Sequence, residues 1–404
     1  MKVSMITREW PPHVYGGAGV HIEYLTGELK KLMDVDVRCF GQQRQTEKSL
    51  TVKGYDMWKV LNNEANPKLN MPLQTLSTDL AIVADNMDSD IVHTHTWYAS
   101  FGGFLAKMLY NIPLVTTTHS LEPHRPWKEE QIGTGYHLSS WVEKINLENA
   151  DKVIAVSDEM KADVLSLFNV KEENIAVIHN GIDPSEWKPV SQDETRPWIR
   201  ERFGVTGDYI MFVGRITRQK GIDVLIEATK QLPPGVKLVM RAGSPDTPEI
   251  KAEMEEWVKG RENIVWIKDK LSNDELIRLY NCAILFACPS VYEPFGIINL
   301  EAMACNTAVV ATTVGGIKEV VVPGETGLLV PPSDPKALIE AINSLIADRD
   351  KAKRFGLAGR ARVLEKFTWE RIALKTKNCY GEVIEKYKKQ HGCCTGKDKN
   401  CCAE

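Results

Sequence analysis

The sequence predicts an α/β protein of two Rossmann-like, doubly wound domains that face a central cleft. At 404 residues the chain exceeds one ordinary core, since a domain usually takes about 100 to 200 residues. Apolar runs rich in Val, Ile and Thr alternate with amphipathic stretches, the pattern of repeated strand-helix units around parallel sheets. The alternation stops once, from Gly181 to Gly207, where Pro184, Pro189 and Pro197 indicate an interdomain crossing.

The first domain is predicted over residues 1–185. Amphipathic segments that predict helices follow most of its strands. The strand candidates are KVSMIT, VDVRCF, DIVHTH, PLVTTTH, KVIAVS and IAVIHN.

The second domain is predicted over residues 205–369. Only helices are expected after Pro335, and the last, at about 370–391, is expected to pack back on the first domain. The strand candidates are YIMFVGR, VKLVMRAG, NIVWIKD, ILFACPS and AVVATTV.

Charge and hydropathy exclude several classes of protein. Lys and Arg total 50 against 54 Asp and Glu, without a long block of one sign, so a large nucleic-acid surface is not expected. The chain has no apolar run near 18 residues and its start has no leader pattern. We therefore expect a cytoplasmic protein without a membrane partner, and a homo-oligomer remains an open option.

Nine cysteines fall into two groups. Five stand singly in apolar segments, where thiols pack as small hydrophobic groups. The other four, Cys393, Cys394, Cys401 and Cys402, lie in the last twelve residues as adjacent pairs rather than C-x-x-C, so a metal or disulfide clip is not favoured. Residues 392–404 are predicted to be a disordered tail.

A glycine-rich segment follows the first strand. Gly16, Gly17 and Gly19 open a helix, where free N–H groups and the helix dipole favour a phosphate or a hydroxyl-rich group. Ile22 stands where a dinucleotide fingerprint needs its third glycine, which argues against an oxidoreductase. A purely structural turn remains the alternative.

The first strand of the second domain leads into a basic loop. Arg215 and Lys220 lie beyond its end, where two fixed cations suit a diphosphate leaving group without a metal ion. Losing one such preorganised charge typically costs about 100- to 1000-fold in rate. The alternative is a solvated charged loop, which also contains Arg218.

The most specific segment is SVYEPFGIINLEAMAC, after the strand ILFACPS. Glu293 lies in the turn, Phe295, Gly296 and Ile297 begin a helix, and Glu301 falls about two turns into it. Carboxylates accept hydrogen bonds from vicinal hydroxyls, so one can address a sugar and the other a ribose. The alternative for either residue is a solvated or capping side chain.

Histidines mark the predicted strand ends of the first domain. His93 and His95 form H-x-H, but no third ligand at suitable spacing accompanies them, so no metal is predicted. His95 is expected to bond an acceptor sugar or to be buried and satisfied. His119 closes another strand, and the following Arg125, Trp127 and Lys128 suit the phosphate and ring face of a phosphosugar.

Together these segments resemble a known family. The chain is similar to the retaining family-4 glycosyltransferases and glycogen synthases of the glycosyltransferase B fold, most closely to short bacterial and archaeal glycogen synthases, including enzymes that make maltose-1-phosphate from ADP-glucose and glucose-1-phosphate. The matching segments are EPFGIINLE, VGR followed by KG, EWPPHVYGGAGVH, HTHTWYA, THSLEPHRPWK, GYHLSSW and VIHNGID.

The resemblance implies that residues 1–185 form the acceptor side of the cleft and residues 205–369 the donor side, and it implies roles for individual residues. Arg215 and Lys220 would hold the diphosphate, Glu301 the ribose, and Glu293 with the backbone after Phe295 the transferred glucose. The donor-binding set is Gly16, Gly17, Arg215, Lys220, Leu271, Glu293, Phe295, Gly296, Ile297 and Glu301.

The resemblance also implies the reaction. Glucose would pass with retention from a nucleotide sugar, ADP-glucose, to glucose-1-phosphate or a glucan end, by a front-face reaction that needs no cofactor and no metal. The catalytic set is His119, Glu293, Arg215 and Lys220, and the acceptor-binding set is His95, Tyr98, Arg125, Trp127 and Lys128.

One position departs from the family pattern. Starch-type synthases carry a Lys two positions before the glycine pair, and this chain has Val14. This weakens the case for polymer elongation. A UDP- or GDP-sugar enzyme, a Rossmann oxidoreductase and a non-catalytic sugar-nucleotide sensor are the alternatives.

Overall fold

The computed structural model describes residues 1–243 and 245–392 and divides into two compact units. Unit 1 comprises Met1–Asn180 and the described residues from Trp369 onward, and unit 2 comprises Gly181–Thr368. Residues 186–204, which the prediction leaves between the domains, belong to unit 2. Across the described part of the chain, no helix has the length and apolar character needed to cross a bilayer.

Unit 1 is built from strands and helices in alternation. Up to Asn180 its elements are β1 (Lys2–Thr7), α1 (Gly17–Leu29), β2 (Asp34–Phe40), β3 (Arg44–Glu47), β4 (Leu50–Tyr55), α2 (Asn70–Ala84), β5 (Ile91–His95), α3 (Trp97–Tyr110), β6 (Leu114–Thr118), α4 (Lys128–Ile132), α5 (Gly135–Asn149), β7 (Lys152–Ala155), α6 (Asp158–Leu167) and β8 (Ile175–Val177).

Unit 2 repeats the alternation, and the chain then returns to unit 1. The remaining elements are α7 (Gln192–Phe203), β9 (Tyr209–Arg215), α8 (Ile222–Ala228), β10 (Lys237–Gly243), α9 (Pro248–Val258), β11 (Ile264–Ile267), α10 (Asn273–Cys282), β12 (Leu285–Cys288), α11 (Ile297–Ala304), β13 (Ala308–Thr312), α12 (Ile317–Val320), β14 (Gly327–Val330), α13 (Pro335–Ala347), α14 (Arg349–Lys366) and α15 (Trp369–His391).

The sheet of unit 1 has the strand order β3-β4-β2-β1-β5-β6-β7-β8. Its strands pair in parallel, except that β3 is antiparallel to β4. The chain proceeds from β1 to one side and later returns to β5 on the other, so the order reverses between these two strands. Neither the edge strand β3 nor its neighbour β4 was predicted. All four residues of β3, RQTE, are exposed and present no apolar run.

Helix α15 completes the core of unit 1. Its apolar face recurs every three or four residues, with Trp369, Ile372, Tyr380 and Val383 buried, and the helix packs against α1. Tyr380 Oη also lies 2.6 Å from His93 Nδ1. The end of the described chain therefore packs into the sheet with which the chain begins.

The sheet of unit 2 has the order β11-β10-β9-β12-β13-β14, and every pair is parallel. Consecutive residues of β9 are almost wholly buried, as parallel strands covered by helices on both faces require. The order reverses between β9 and β12. The short strand β14 was not among the predicted strands.

The predicted crossing from 181 to 207 is wrong in part, because its second half is helix α7. Thr195 and Ile199 are buried and the helix packs against α10. Pro197 inside the helix removes one backbone N–H donor, and the surrounding charged residues obscure the apolar period.

The five scattered cysteines are buried free thiols in the structure, as their apolar neighbours predict. Burial raises the pKa of Cys39 to about 12 and that of Cys288 to about 11, so both stay protonated and unreactive. Apart from Gly392, the predicted tail with its four cysteines lies outside the described residues.

Candidate functional site

Some of the predicted site residues lie where the strand order of each sheet reverses. Open parallel sheets bind ligands at this point, beyond the carboxyl ends of the strands. In unit 2, Arg215 ends β9 and Glu293 follows β12, the neighbouring strand. In unit 1, the glycine segment follows β1 and His95 ends β5.

Lys220 and Glu293 meet because they follow neighbouring strands. Lys220 Nζ lies 2.6 Å from Glu293 Oε2, and their side chains are only 14% and 9% exposed. Ser290 Oγ donates to the same carboxylate oxygen at 3.1 Å. The residue predicted to bind the diphosphate and the residue predicted to bind the sugar are thus ion-paired with each other.

The backbone fixes the turn that carries Glu293. The N–H of Gly316 donates to the Glu293 carbonyl at 3.2 Å. Gly315 has a φ of 51°, and a Cβ at this position would collide with that carbonyl. The loop after β13 therefore has to carry glycine for Glu293 to keep its place.

Arg215 makes a separate ion pair. Its Nη1 lies 3.2 Å from Asp246 Oδ1, and its side chain is 42% exposed. Arg218, in the same loop, pairs with Glu253 at 2.7 Å and is more exposed still. Arg215 and Lys220 both border the end of β9, but they do not share a partner.

Helix α11 begins beside Glu293. Gly296 is its N-cap with a φ of 91°, Phe295 is buried against Phe367, and Ile297 is the first helical residue. Tyr280 Oη donates to Glu301 Oε2 at 3.0 Å. Burial raises the pKa of Glu301 to about 7, although the Tyr280 hydrogen bond opposes the shift.

Leu271 lies in the loop before α10. Its side chain is buried, and the next residue, Ser272, forms a capping box with Glu275 at the start of the helix. A ligand at Leu271 would therefore meet the backbone and not the side chain.

The glycine segment of unit 1 already has an acidic partner. Gly16 is the N-cap of α1, and Glu9 Oε2 accepts from the N–H groups of Tyr15 and Gly16 at 2.7 and 3.1 Å. Gly17 is the first helical residue. An anionic ligand that approached Gly16 would compete with the carboxylate of Glu9, which the sequence did not single out.

Three histidines converge in unit 1. His95 Nδ1 lies 3.2 Å from His119 Nε2, and the ring of His21 on α1 lies 4.7 Å from that of His119 between centroids. His21 Nδ1 lies 2.6 Å from Asn180 Oδ1. His93 is separate in its bonding, with both ring nitrogens occupied by Tyr380 and Thr117.

Burial keeps these imidazoles neutral. It lowers the pKa of His21 to about 4 and holds those of His95 and His119 well below the usual range, with the neighbouring histidines adding to the effect for the latter two. The cluster can therefore exchange hydrogen bonds at neutral pH without carrying charge.

The predicted absence of a metal relied on the lack of a third ligand beside His93 and His95. The fold supplies ligands from elsewhere in the chain. One nitrogen each from His21, His95 and His119 lie within 4.8 Å of one another, a group that could hold a metal ion.

The predicted acceptor residues divide into two environments. Tyr98 is half-buried beneath the guanidinium of Arg8, 4.2 Å from its ring centroid. Arg125 Nη1 donates to Ser120 Oγ at 3.3 Å, and Trp127 is half-buried. These side chains are accessible in part.

Lys128 lies in a different environment, because it is buried and already paired, and its contact with an acceptor phosphate stays a prediction. Its Nζ lies 2.6 Å from Glu122 Oε1, with both side chains almost fully buried. Ser139 Oγ donates to the other oxygen of Glu122, and the Glu122 N–H donates to Glu143. Burial and nearby Glu122 raise the pKa of Glu143, so it remains protonated beside the ion pair.

Several residues of these networks were missed from the sequence. Each missed residue contacts a side chain or backbone group of a different segment of the chain. These residues are His21, Asn180, Glu9 and Tyr280. A weak signal existed for Asn180, which follows a predicted strand end, where polar residues often face a ligand. The sequence contained no such signal for Tyr280, because an aromatic residue on an amphipathic helix predicts core packing.

Family models match both halves of the chain. Residues 15–186 match "Glycosyltransferase Family 4" and residues 199–362 match "Glycosyl transferases group 1". An alpha-maltose-1-phosphate synthase from Mycolicibacterium smegmatis is 45% identical over 400 residues, with 95% of this chain and 100% of the relative covered. Mycobacterium tuberculosis glycogen synthase is 28% identical over 416 residues, with 94% of both covered.

A solved structure extends the likeness to three dimensions. Sucrose-phosphate synthase from Thermosynechococcus elongatus superposes with a TM-score of 0.80 at 26% identity, covering 95% of this chain and 99% of that one. Sequence, family models and fold all agree over nearly the whole chain. It belongs to the family-4 glycosyltransferases, has the glycosyltransferase B fold and is a hexosyltransferase.

Proposed function

We propose that this enzyme transfers glucose from ADP-glucose to glucose-1-phosphate, with retention of the α configuration, to give maltose-1-phosphate and ADP. The 45% identity to an alpha-maltose-1-phosphate synthase over its full length carries the proposal. The lower identity of 28% to a glycogen synthase, together with Val14 in place of the starch-type Lys, favours a sugar phosphate over a glucan end as acceptor.

The residues of unit 2 suit the donor in this proposal. Arg215 and Lys220 would neutralise the diphosphate as it leaves, Glu301 would accept from the ribose hydroxyls, and Glu293 would hold the glucose. Lys220 is paired with Glu293 before the donor arrives, so donor binding would share or replace that ion pair. The catalytic charge is then provided by side chains, and we propose that the transfer needs no metal.

The residues of unit 1 suit the sugar and the acceptor. The neutral His95 and His119 can exchange hydrogen bonds with hydroxyl groups. In a front-face reaction the C1–O bond to the diphosphate breaks as the O4–C1 bond forms. The acceptor O4 proton passes to the departing diphosphate oxygen, so Glu293 acts by position and not as a nucleophile.

Product analysis tests the donor, the acceptor and the stereochemistry together. The chelator-treated enzyme is incubated with ADP-, UDP- or GDP-glucose and with glucose-1-phosphate or glycogen, and products are identified by mass and by the C1 proton coupling in NMR. We expect an α-linked hexose disaccharide phosphate from ADP-glucose and glucose-1-phosphate. A preference for UDP- or GDP-glucose, or for glycogen, would replace that part of the proposal.

A further inference from the structure

We propose that His21, His95 and His119 form a Zn²⁺ site in unit 1, and that Zn²⁺ bound there inhibits glucosyl transfer. The site itself is independent of the reaction. The inhibition rests on the proposed function, because it assigns His95 and His119 to the reacting sugars.

The nitrogen atoms are already close to the spacing that zinc needs. Tetrahedral Zn²⁺ with Zn–N of about 2.0–2.1 Å places its ligand nitrogens about 3.3 Å apart. His95 Nδ1 and His119 Nε2 are 3.2 Å apart, and the His21 nitrogen completes a set within 4.8 Å. Small rotations of the rings would bring all three to a common centre.

Asn180 prepares His21 as a ligand. Its side-chain oxygen accepts a hydrogen bond, so Nδ1 of the neutral His21 carries the proton and Nε2 keeps its lone pair. That Nε2 is buried and has no hydrogen-bond partner among the described residues. A ring N–H donated to an oxygen, with the other nitrogen left open, is the arrangement of zinc-bound histidines.

His93 shows how an ordinary buried histidine differs from the histidines of the proposed site. Both nitrogens of His93 have partners, Tyr380 and Thr117. His21 keeps a buried nitrogen, Nε2, for which residues 1–243 and 245–392 provide no partner. Leaving such a group unsatisfied is unfavourable in a protein interior, and a cation would satisfy it.

The chemistry of the ligands selects the ion. Three imidazole nitrogens suit Zn²⁺, whereas Mg²⁺ and Ca²⁺ require oxygen ligands. Three protein ligands leave a fourth position open to water or to an anion. Zinc in this place would engage the nitrogens of His95 and His119 that the proposed reaction needs for hydroxyl groups.

Direct metal binding provides the test. The full-length chain is used with Ser in place of Cys393, Cys394, Cys401 and Cys402, because thiolates bind zinc themselves. After chelator treatment the protein is titrated with Co²⁺, followed by visible absorption, and the Co²⁺ is then displaced by Zn²⁺. We expect one Zn²⁺ per chain and at least about 10-fold weaker binding in His21→Gln and in Asn180→Ala.

Two matched substitutions act as controls. His93→Gln removes a buried histidine outside the set, and His137→Gln removes an exposed one on α5, so both are expected to retain Zn²⁺ binding. Circular dichroism verifies that each variant is folded. Binding that is unchanged in both His21→Gln and Asn180→Ala, or absent from the parent protein, would overturn the site.

Activity measurements separate the site from the inhibition. With ADP-glucose and glucose-1-phosphate, stoichiometric Zn²⁺ is expected to abolish transfer by the parent protein, and His21→Gln is expected to resist it. Zinc binding without loss of activity would overturn the inhibition alone. An enzyme inactive toward every sugar pair would overturn the proposed function, whereas the Co²⁺ titration would still decide the site.

Discussion

The two parallel sheets place their candidate residues at equivalent points but with opposite chemistry. At the strand reversal of unit 2, the side chains are charged and paired, Lys220 with Glu293 and Arg215 with Asp246. At the reversal of unit 1, His95 and its neighbours are neutral imidazoles whose pKa values burial lowers.

This difference indicates how each region can receive a ligand. In the proposed function, the ion pairs of unit 2 exchange partners when the donor diphosphate binds, so the region would respond to a charged ligand. The imidazoles of unit 1 offer hydrogen bonds without net charge and suit sugar hydroxyls. Among the candidate residues of unit 1, Lys128 differs in that it forms a buried ion pair with Glu122, and this pair tests whether a charge there serves structure or binding.

The largest effect is expected from Lys128→Met. The change leaves the buried Glu122 carboxylate without its cation, beside protonated Glu143, and should lower the free energy of unfolding by about 3–5 kcal/mol in a urea titration. The double variant Lys128→Met with Glu122→Gln should recover much of this loss. An unchanged unfolding curve with a raised KM for glucose-1-phosphate would instead make Lys128 an acceptor ligand.

Removing the donor-side cation should slow catalysis. Lys220→Ala is expected to lower kcat/KM by about 100- to 1000-fold, because the leaving diphosphate loses a preorganised charge. Arg218→Ala is the matched control, since its exposed ion pair with Glu253 contributes little. Equal losses in the two variants would mean that the loop acts only through its net charge.

Glu293→Gln tests positioning against nucleophilic catalysis. The amide keeps the shape of the side chain but weakens its bonds to Lys220 and to a sugar hydroxyl, so kcat/KM should fall by about 10- to 100-fold. A carboxylate nucleophile would predict far lower activity. A glycosyl ester on Glu293, detected by intact mass with a slow donor, would refute the positioning role.

The smallest effect is a change in pH dependence. Glu301, with a pKa of about 7, accepts best from ribose when ionised, so KM for the nucleotide sugar should fall as the pH rises through 7. Tyr280→Phe removes a hydrogen bond that lowers this pKa, and should move the transition upward by about one pH unit.

The matched control for Tyr280 is Tyr209→Phe, which removes a buried hydroxyl that donates to Leu279 instead. Its pH transition should stay in place. Because the folded pKa of Glu301 lies above its ordinary value of 4.5, this group should also lower the free energy of unfolding as the pH rises from about 4.5 to about 7. An unshifted profile in Tyr280→Phe would remove Tyr280 from this role.

Most of the fold was predictable because buried parallel strands are recognisable in a sequence as apolar runs. The first predicted strand, KVSMIT, is β1 in full. The misses share a physical cause: β3 is polar and exposed, and α7 has only two buried residues and an internal proline. Such elements depend on neighbours that a local pattern does not contain.

The site residues were predictable only where they follow the end of a predicted strand. Lys220 and Glu293 were singled out separately from their positions after strands, but their ion pair depends on β9 and β12 being neighbours. The meeting of His21 with His119 likewise depends on how α1 lies on its sheet. The residue type of Lys128 did not reveal its buried ion pair with Glu122, and its role as an acceptor ligand stays a prediction.

The return of α15 to unit 1 has a consequence for the order of synthesis. Unit 2 is one continuous segment and can fold while the ribosome still holds the residues after Thr368. The sheet of unit 1, although its last strand is made long before, must wait for Trp369 and Tyr380 to cover α1 and to bond His93. Synthesis of unit 1 thus starts before that of unit 2, but unit 1 completes its folding after unit 2.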